Sequence, residues 1–175
     1  MALESPDLSL VRRLKTKGRY DEALRLLRAW LASDPENPRL LQEIAETLDN
    51  QGREEEAIPY YRQALAGDLD VVRRVDAIVG LGSSLRVVGE VAESYRVLEE
   101  GVRQFPDHVA LKVFFALTLE RMGNYGQAID QLLDVITLTG KAPSLDPYKN
   151  SIRYYRAYRH DGRYPSQTTD NIEPR

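Results

Sequence analysis

Two histidines, His108 and His160, are the side chains of this sequence best suited to proton transfer or metal ligation near neutral pH. Neither has a second His or a carboxylate four residues on, so the helix-face arrangement that holds a catalytic zinc is absent. Both read as exposed residues, one in the Phe105-Pro106-Asp107 turn and one at a helix end. Gly80-Leu81-Gly82 begins like a dinucleotide-binding loop, but Leu85 stands where the third Gly belongs and no strand precedes it. Gly82 reads instead as the small residue that admits a neighbouring helix. Ser83-Ser84 has no His in register to act as base, which removes a serine nucleophile. The run Arg53 to Glu56 reads as a solvated first turn, where carboxylates favour the helix dipole. With no Cys in the chain, thiolate metal sites, disulfides and Cys nucleophiles are ruled out. The expectation is a protein with no catalytic residues, no metal and no cofactor.

Charge and aromatic residues are the remaining chemistry, and they are unevenly placed. The chain has 175 residues, a net charge of −3 and 42% hydrophobic residues, values that suit one globular domain. Five of its ten Tyr fall between Tyr148 and Tyr164, among Lys149, Arg153, Arg156, Arg159 and Arg163 and a single acid, Asp161. A mildly acidic total argues against a general nucleic-acid coat and leaves this Tyr/Arg-rich end as the local basic patch. The start, Met1 to Leu10, has no basic region followed by an apolar one. The longest apolar run, Val113 to Leu117, is far below the ~20 residues that cross a bilayer. A cytoplasmic protein with no membrane contact is expected.

The elements that position these residues follow from an internal period. Gly18, Gly52, Gly89, Gly123 and Gly162 are 34, 37, 34 and 39 residues apart. Each ends a helical run and opens another. Five residues after the first four lies a small side chain (Ala23, Ala57, Ser94, Ala128), and four further on a large one (Leu27, Tyr61, Leu98, Leu132) expected to fill the space between helices. Before each Gly, apolar residues recur at helical spacing, as in Leu41, Ile44, Ala45 and Leu48. Pro35 and Pro106 close second helices. Residues 67–74 absorb a three-residue insertion, with Asp70 as N-cap of a lengthened helix, and Asp146-Pro147 reads as N-cap and first residue of a final helix.

This pattern resembles the tetratricopeptide-repeat (TPR) superfamily over about residues 4 to 164, and the strings Leu81 to Arg86 and Phe105 to Leu111 resemble small bacterial members. Trp30, Leu69, Gly101 and Gly140 depart from the usual Ala or Pro of the family. The resemblance implies an all-α fold, a right-handed superhelical solenoid of antiparallel helix pairs. Repeats are expected at about 4–37, 38–74, 75–108 and 109–142, with a capping helix at about 147–160, the whole forming a single domain over 1–164 and followed by a polar tail at 165–175. Tyr148, Ser151, Tyr154, Tyr155 and Tyr158 share one side of that cap, where rings can pack on the last repeat while hydroxyls stay wet.

In the superfamily the first helix of each pair lines a concave groove. Carried over by register, the groove runs from Arg12 and Lys15 through Arg39, Gln42, Glu43, Glu46, Asp49 and Asn50. It continues through Asp76, Val79, Ser83, Arg86 and Val87, then Val113, Phe114, Leu117, Glu120 and Arg121, and ends at Lys149, Ile152, Arg153, Arg156 and Arg159. Adjacent helical residues point about 100° apart, so Phe115 takes the core and Phe114 the groove. Phe114, Leu117, Val79 and Val113 then form an apolar anchor site. Arg86, Arg121, Arg153 and Arg156 are placed to pair acids, and Glu43 and Glu46 to pair bases. The Lys/Asn/Arg clamp with which some relatives hold a C-terminal carboxylate is not preserved at Leu8, Arg12, Glu43, Asp76 and Gly80. The expected function is a scaffold binding a protein or peptide segment. The alternatives are self-association through an exposed apolar end of the stack, or an anionic polymer such as RNA held by the Tyr/Arg-rich helix.

Overall fold

The computed structural model describes residues 6–140 and 143–160, with side chains described as far as residue 154. The fifth Gly at 162, the 165–175 segment and the side chains of Tyr155, Arg156, Tyr158 and Arg159 lie outside the described residues. Every regular element among the described residues is helical: α1 (Leu8–Thr16), α2 (Tyr20–Leu31), α3 (Pro38–Asp49), α4 (Glu54–Ala66), α5 (Val71–Val87), α6 (Val91–Gln104), α7 (Val109–Arg121), α8 (Tyr125–Thr139) and α9 (Lys149–His160).

Each of the first four pairs turns on a glycine. Gly18, Gly52, Gly89 and Gly123 have φ of 70°, 71°, 91° and 78°, the left-handed region that costs a side chain energy. The following amide reaches back to the carbonyl five residues earlier, Arg19 to Leu14 at 2.9 Å and Asn124 to Leu119 at 2.8 Å, satisfying carbonyls the helix end would otherwise leave open. The helix starts are capped as their residue types predict. Asn37 accepts from the Arg39 amide at 3.1 Å ahead of Pro38, and Asp70 from the Arg73 amide at 2.9 Å. Asp146 behaves differently from its expected cap role. A single 3₁₀ turn, Asp146–Tyr148, precedes α9, and the Asp146 carboxylate pairs instead with Lys149 at 2.7 Å.

Consecutive helices pack on one another, and α3 with α5 and α5 with α7 also meet directly, which places the first helices of successive pairs side by side. Two contiguous cores result. One gathers repeats one to three around Leu27, Ile44, Leu48, Tyr61 and Leu85. The other joins α5, α6, α7 and α8 around Ile78, Leu98, Leu111, Phe115 and Leu119. The small positions Ala23, Ala57, Ser94 and Ala128 are all buried, and Ser94 satisfies its hydroxyl by donating to the Gly82 carbonyl at 2.7 Å. Gly82 and Gly101 are needed for these contacts. A Cβ on Gly82 would sit 2.4 Å from Leu98 Cγ, and one on Gly101 2.8 Å from Ile78 Cγ2. Trp30 is accommodated as a half-buried ring against the first core.

Two expectations fail at the C-terminal end. Leu27, Tyr61 and Leu98 fill their repeats at 0%, 2% and 0% exposure, but Leu132 is 42% exposed, since among the described residues α9 is the element that follows and packs on α8, and it leaves this side chain partly open. The cap helix also turns a different side inward. Lys149 and Ile152 are half-buried, whereas Tyr148 and Tyr154 are 62% and 53% exposed. Ile152 is the aliphatic residue available at that point of α9, so it takes the more buried place while Tyr148 and Tyr154 are exposed.

Candidate concave binding face

The concave face is built by α1, α3, α5 and α7, and its two halves differ in chemistry. At the N-terminal half lies a polar cleft of about 390 Å³, lined from α1 by Arg12 and Lys15, from α3 by Gln42, Glu43 and Glu46, and from the start of α5 by Asp70, Val72, Arg73 and Asp76. Lys15 bridges Glu43 and Glu46, with Nζ 3.1 Å from each carboxylate, and Arg73 approaches Glu43 at 3.6 Å. Glu46 also accepts from the Gln42 amide at 2.9 Å. Burial pushes the Glu46 carboxyl above its ordinary value, against the pull of Lys15 and with the neighbouring Glu43 adding to the rise. These acids are thus already held by cations from the flanking repeats, and a basic partner would have to compete with Lys15. Arg73 is not among the groove positions that register supplies. Its signal is the extra turn that lengthens α5, since Arg73 and Val72 lie three and four residues before Asp76 on the same helix face.

Asp49, also assigned to the groove, is half-buried and tied into the structure. It accepts from Tyr61 Oη at 2.8 Å and from Ser84 Oγ at 2.7 Å, linking α3, α4 and α5. Burial raises its carboxyl, and the two hydroxyl bonds partly offset the rise. Burial and this carboxylate push the Tyr61 hydroxyl far above its usual range. Gly80 belongs to the same knot, since a Cβ there would lie 2.4 Å from Tyr61 Cζ. The Gly80-Leu81-Gly82 and Ser83-Ser84 strings therefore serve helix packing.

At the C-terminal half the side chains become apolar. Val79 and Phe114 are half-buried against the second core, Val113 is half-buried, and Leu117 and Val87 are 43% and 55% exposed. Phe115 is buried and packs its ring 5.3 Å from that of Tyr95. Beside this row Arg86 lies half-buried; its Nη2 reaches Ser83 Oγ only at 3.5 Å, and its Nε is buried without a hydrogen-bond partner. Arg121 and Arg153 are exposed, and Arg153 contacts Asn150 at 3.2 Å. The side chain of Arg156 lies outside the described residues. Among the described residues no three His, Asp or Glu converge on a metal-sized site, and His108 is exposed. No helix among the described residues is long and apolar enough to cross a membrane.

Stacked helix pairs turning on glycine, with their first helices lining a concave face, define an α-solenoid of the helical-repeat class. A tetratricopeptide-repeat profile matches residues 38–158 and a second one residues 6–47, and the chain belongs to the tetratricopeptide-repeat family. No curated protein matches the sequence. Among solved structures, MamA is similar with a TM-score of 0.67 and 18% identity, over 91% of this chain and 95% of that one. MamA 41-end from Desulfovibrio magneticus RS-1 gives 0.66 and 17%, over 87% and 85%. YrrB, a TPR protein with an unusual peptide-binding site, gives 0.65 and 19%, over 81% and 71%. At these identities the likeness is one of fold, a right-handed superhelix of TPR pairs.

Proposed function

We propose that the protein is a non-enzymatic scaffold whose concave face holds a peptide segment of a protein partner. The observation that carries this reading is Arg86. Its guanidinium Nε is buried without an acceptor on the concave side, next to an apolar row that the fold leaves partly open. An unfilled buried donor costs stability unless an acceptor arrives, and a partner carboxylate supplies one. Phe114, Leu117, Val79 and Val113 then receive an apolar anchor, while the exposed Arg121 and Arg153 meet further acids. Glu43 and Glu46, neutralised by Lys15 and Arg73, steer a basic residue of the segment rather than seal it in place. The fold likeness to YrrB, a TPR protein with a peptide-binding site, supports a peptide ligand.

The test is selection of binders from a random displayed-peptide library on the full chain, followed by fluorescence anisotropy of the selected peptides. Phe114→Ala together with Arg153→Glu should weaken binding about a hundredfold if each change costs roughly 1.4 kcal/mol. Undiminished binding by the folded double variant defeats the groove assignment.

A further inference from the structure

The polar cleft bounded by α1, α3 and α5 has an unmet acceptor in the α3 side chains that form its floor. Gln42 lines this cleft and is only 1% exposed. Its Nε2 donates to Glu46 Oε1 at 2.9 Å, and its Oε1 is buried with no hydrogen-bond partner among the described residues. Turning the amide over would not relieve this, because an anionic Glu46 accepts hydrogen bonds and cannot donate one. A buried acceptor left open costs stability until a donor arrives. The charges around Gln42 point to the kind of donor. Four acids and three bases line the cleft. Lys15 and Arg73 are committed to Glu43, Glu46 and Asp70. Arg12 stands on the α1 wall, and Asp76 on the opposite, α5 wall, exposed and held by no side-chain hydrogen bond or ion pair among the described residues. Asp76 is near enough to Glu46 to add to the rise of its carboxyl, so the α5 side of the cleft is the acidic one.

The acceptors with capacity to spare are thus the Gln42 amide oxygen, the Glu46 carboxylate and the Asp76 carboxylate, on three separate side chains. A guanidinium is best matched as a planar fork to a single carboxylate, whereas an ammonium is a compact charge with three rotatable donors. A divalent metal is disfavoured, since among the described residues no three His, Asp or Glu converge on a metal-sized site. Val72, one turn before Asp76 on the same face of α5, is 70% exposed and offers apolar surface to a methylene chain. We propose that this cleft is a subsite for a primary ammonium, the side chain of a lysine in the bound segment, held by Gln42 Oε1, Glu46 and Asp76 with its stem along Val72. The inference rests on the concave face receiving a segment. The subsite selects which residue enters the cleft, and the apolar row at the other half of the face supplies the anchor.

The experiment is an NMR titration of the isotope-labelled full chain at neutral pH with Nα-acetyl-lysine N-methylamide, read at the Gln42 side-chain NH2 and the backbone amides of Glu46 and Asp76. Saturable shifts are expected, with a millimolar Kd for so small a probe. The norleucine counterpart keeps the stem and lacks the charge, and it should bind at least about tenfold more weakly, as should the arginine counterpart. Asp76→Asn should weaken the lysine probe about tenfold, and Gln42→Met, which removes the buried acceptor at similar volume, should do the same. Circular dichroism checks both variants, and the exposed Asp76 carries the test if Gln42→Met unfolds. Absence of a saturable shift overturns the proposal and assigns the open oxygen to a bound water. Equal binding of the norleucine or arginine probe, or a folded Asp76→Asn that binds as wild type does, overturns it as well. Tighter binding of alanine N-methylamide than of the lysine probe gives the site to a chain N-terminus and overturns the lysine assignment. The concave-face reading stands or falls on the Phe114 and Arg153 variant with selected peptides, whereas the subsite stands or falls on the single-residue probe, so the two failures are told apart.

Discussion

Asp49 shows how a side chain can have a groove position by register and still belong to the core. Its two oxygens are taken by Tyr61 and Ser84, and burial keeps its carboxyl above the ordinary 3.8. A carboxyl raised in the folded state binds its proton more tightly there than in the unfolded chain. Its contribution to stability is therefore full below about pH 4 and is lost as pH rises through the folded value. Asp49→Asn removes this dependence while keeping one acceptor. The stability of wild type relative to Asp49→Asn should thus fall between pH 4 and pH 7, read from urea midpoints at both; a constant gap would show that the carboxyl is not raised. Register could not disclose this, because Ser84 sits 35 residues away and the bond exists only once α3 and α5 are side by side. The same limit applies to Lys15, whose partners Glu43 and Glu46 are a repeat away.

At the scale of the element, the turns are legible because their chemistry is local. A Gly between two amphipathic runs supplies the left-handed residue that a tight helix-to-helix turn needs, and all four described turns adopt that geometry. Gly52 has open space where a Cβ would go, so Gly52→Ala should act through backbone strain alone and cost roughly 1–2 kcal/mol, measured by chemical denaturation. A cost near zero would mean the turn relaxes to another conformation. The inward side of the cap helix is not legible, for the opposite reason. Spacing says which residues share a side of a helix, but which side faces the last repeat depends on how α9 leaves the 3₁₀ turn at Asp146–Tyr148, and that turn is set by Pro147 and the Asp146–Lys149 pair.

For the whole molecule, stability passes from repeat to repeat through nearest neighbours, so an end with an uncovered interface should open first. Amide exchange is expected to be fastest in α8 and α9, intermediate in α1, and slowest in α3 to α6, where the two cores overlap. Hydrogen-exchange mass spectrometry reads this directly, and equal protection along the stack would show that the C-terminal end is covered in solution. Composition, period and spacing by themselves determined the helical pairs, the turn glycines, the small and large positions of the inner repeats and the family, because each depends on residues within one repeat length. Tertiary structure alone decided that the acidic second repeat is neutralised from its neighbours, that Arg73 joins the cleft, that Arg86 keeps an unfilled donor and that Leu132 lies open. Each of these depends on which surfaces meet across repeats or are left without a neighbour, and a one-dimensional pattern does not carry that.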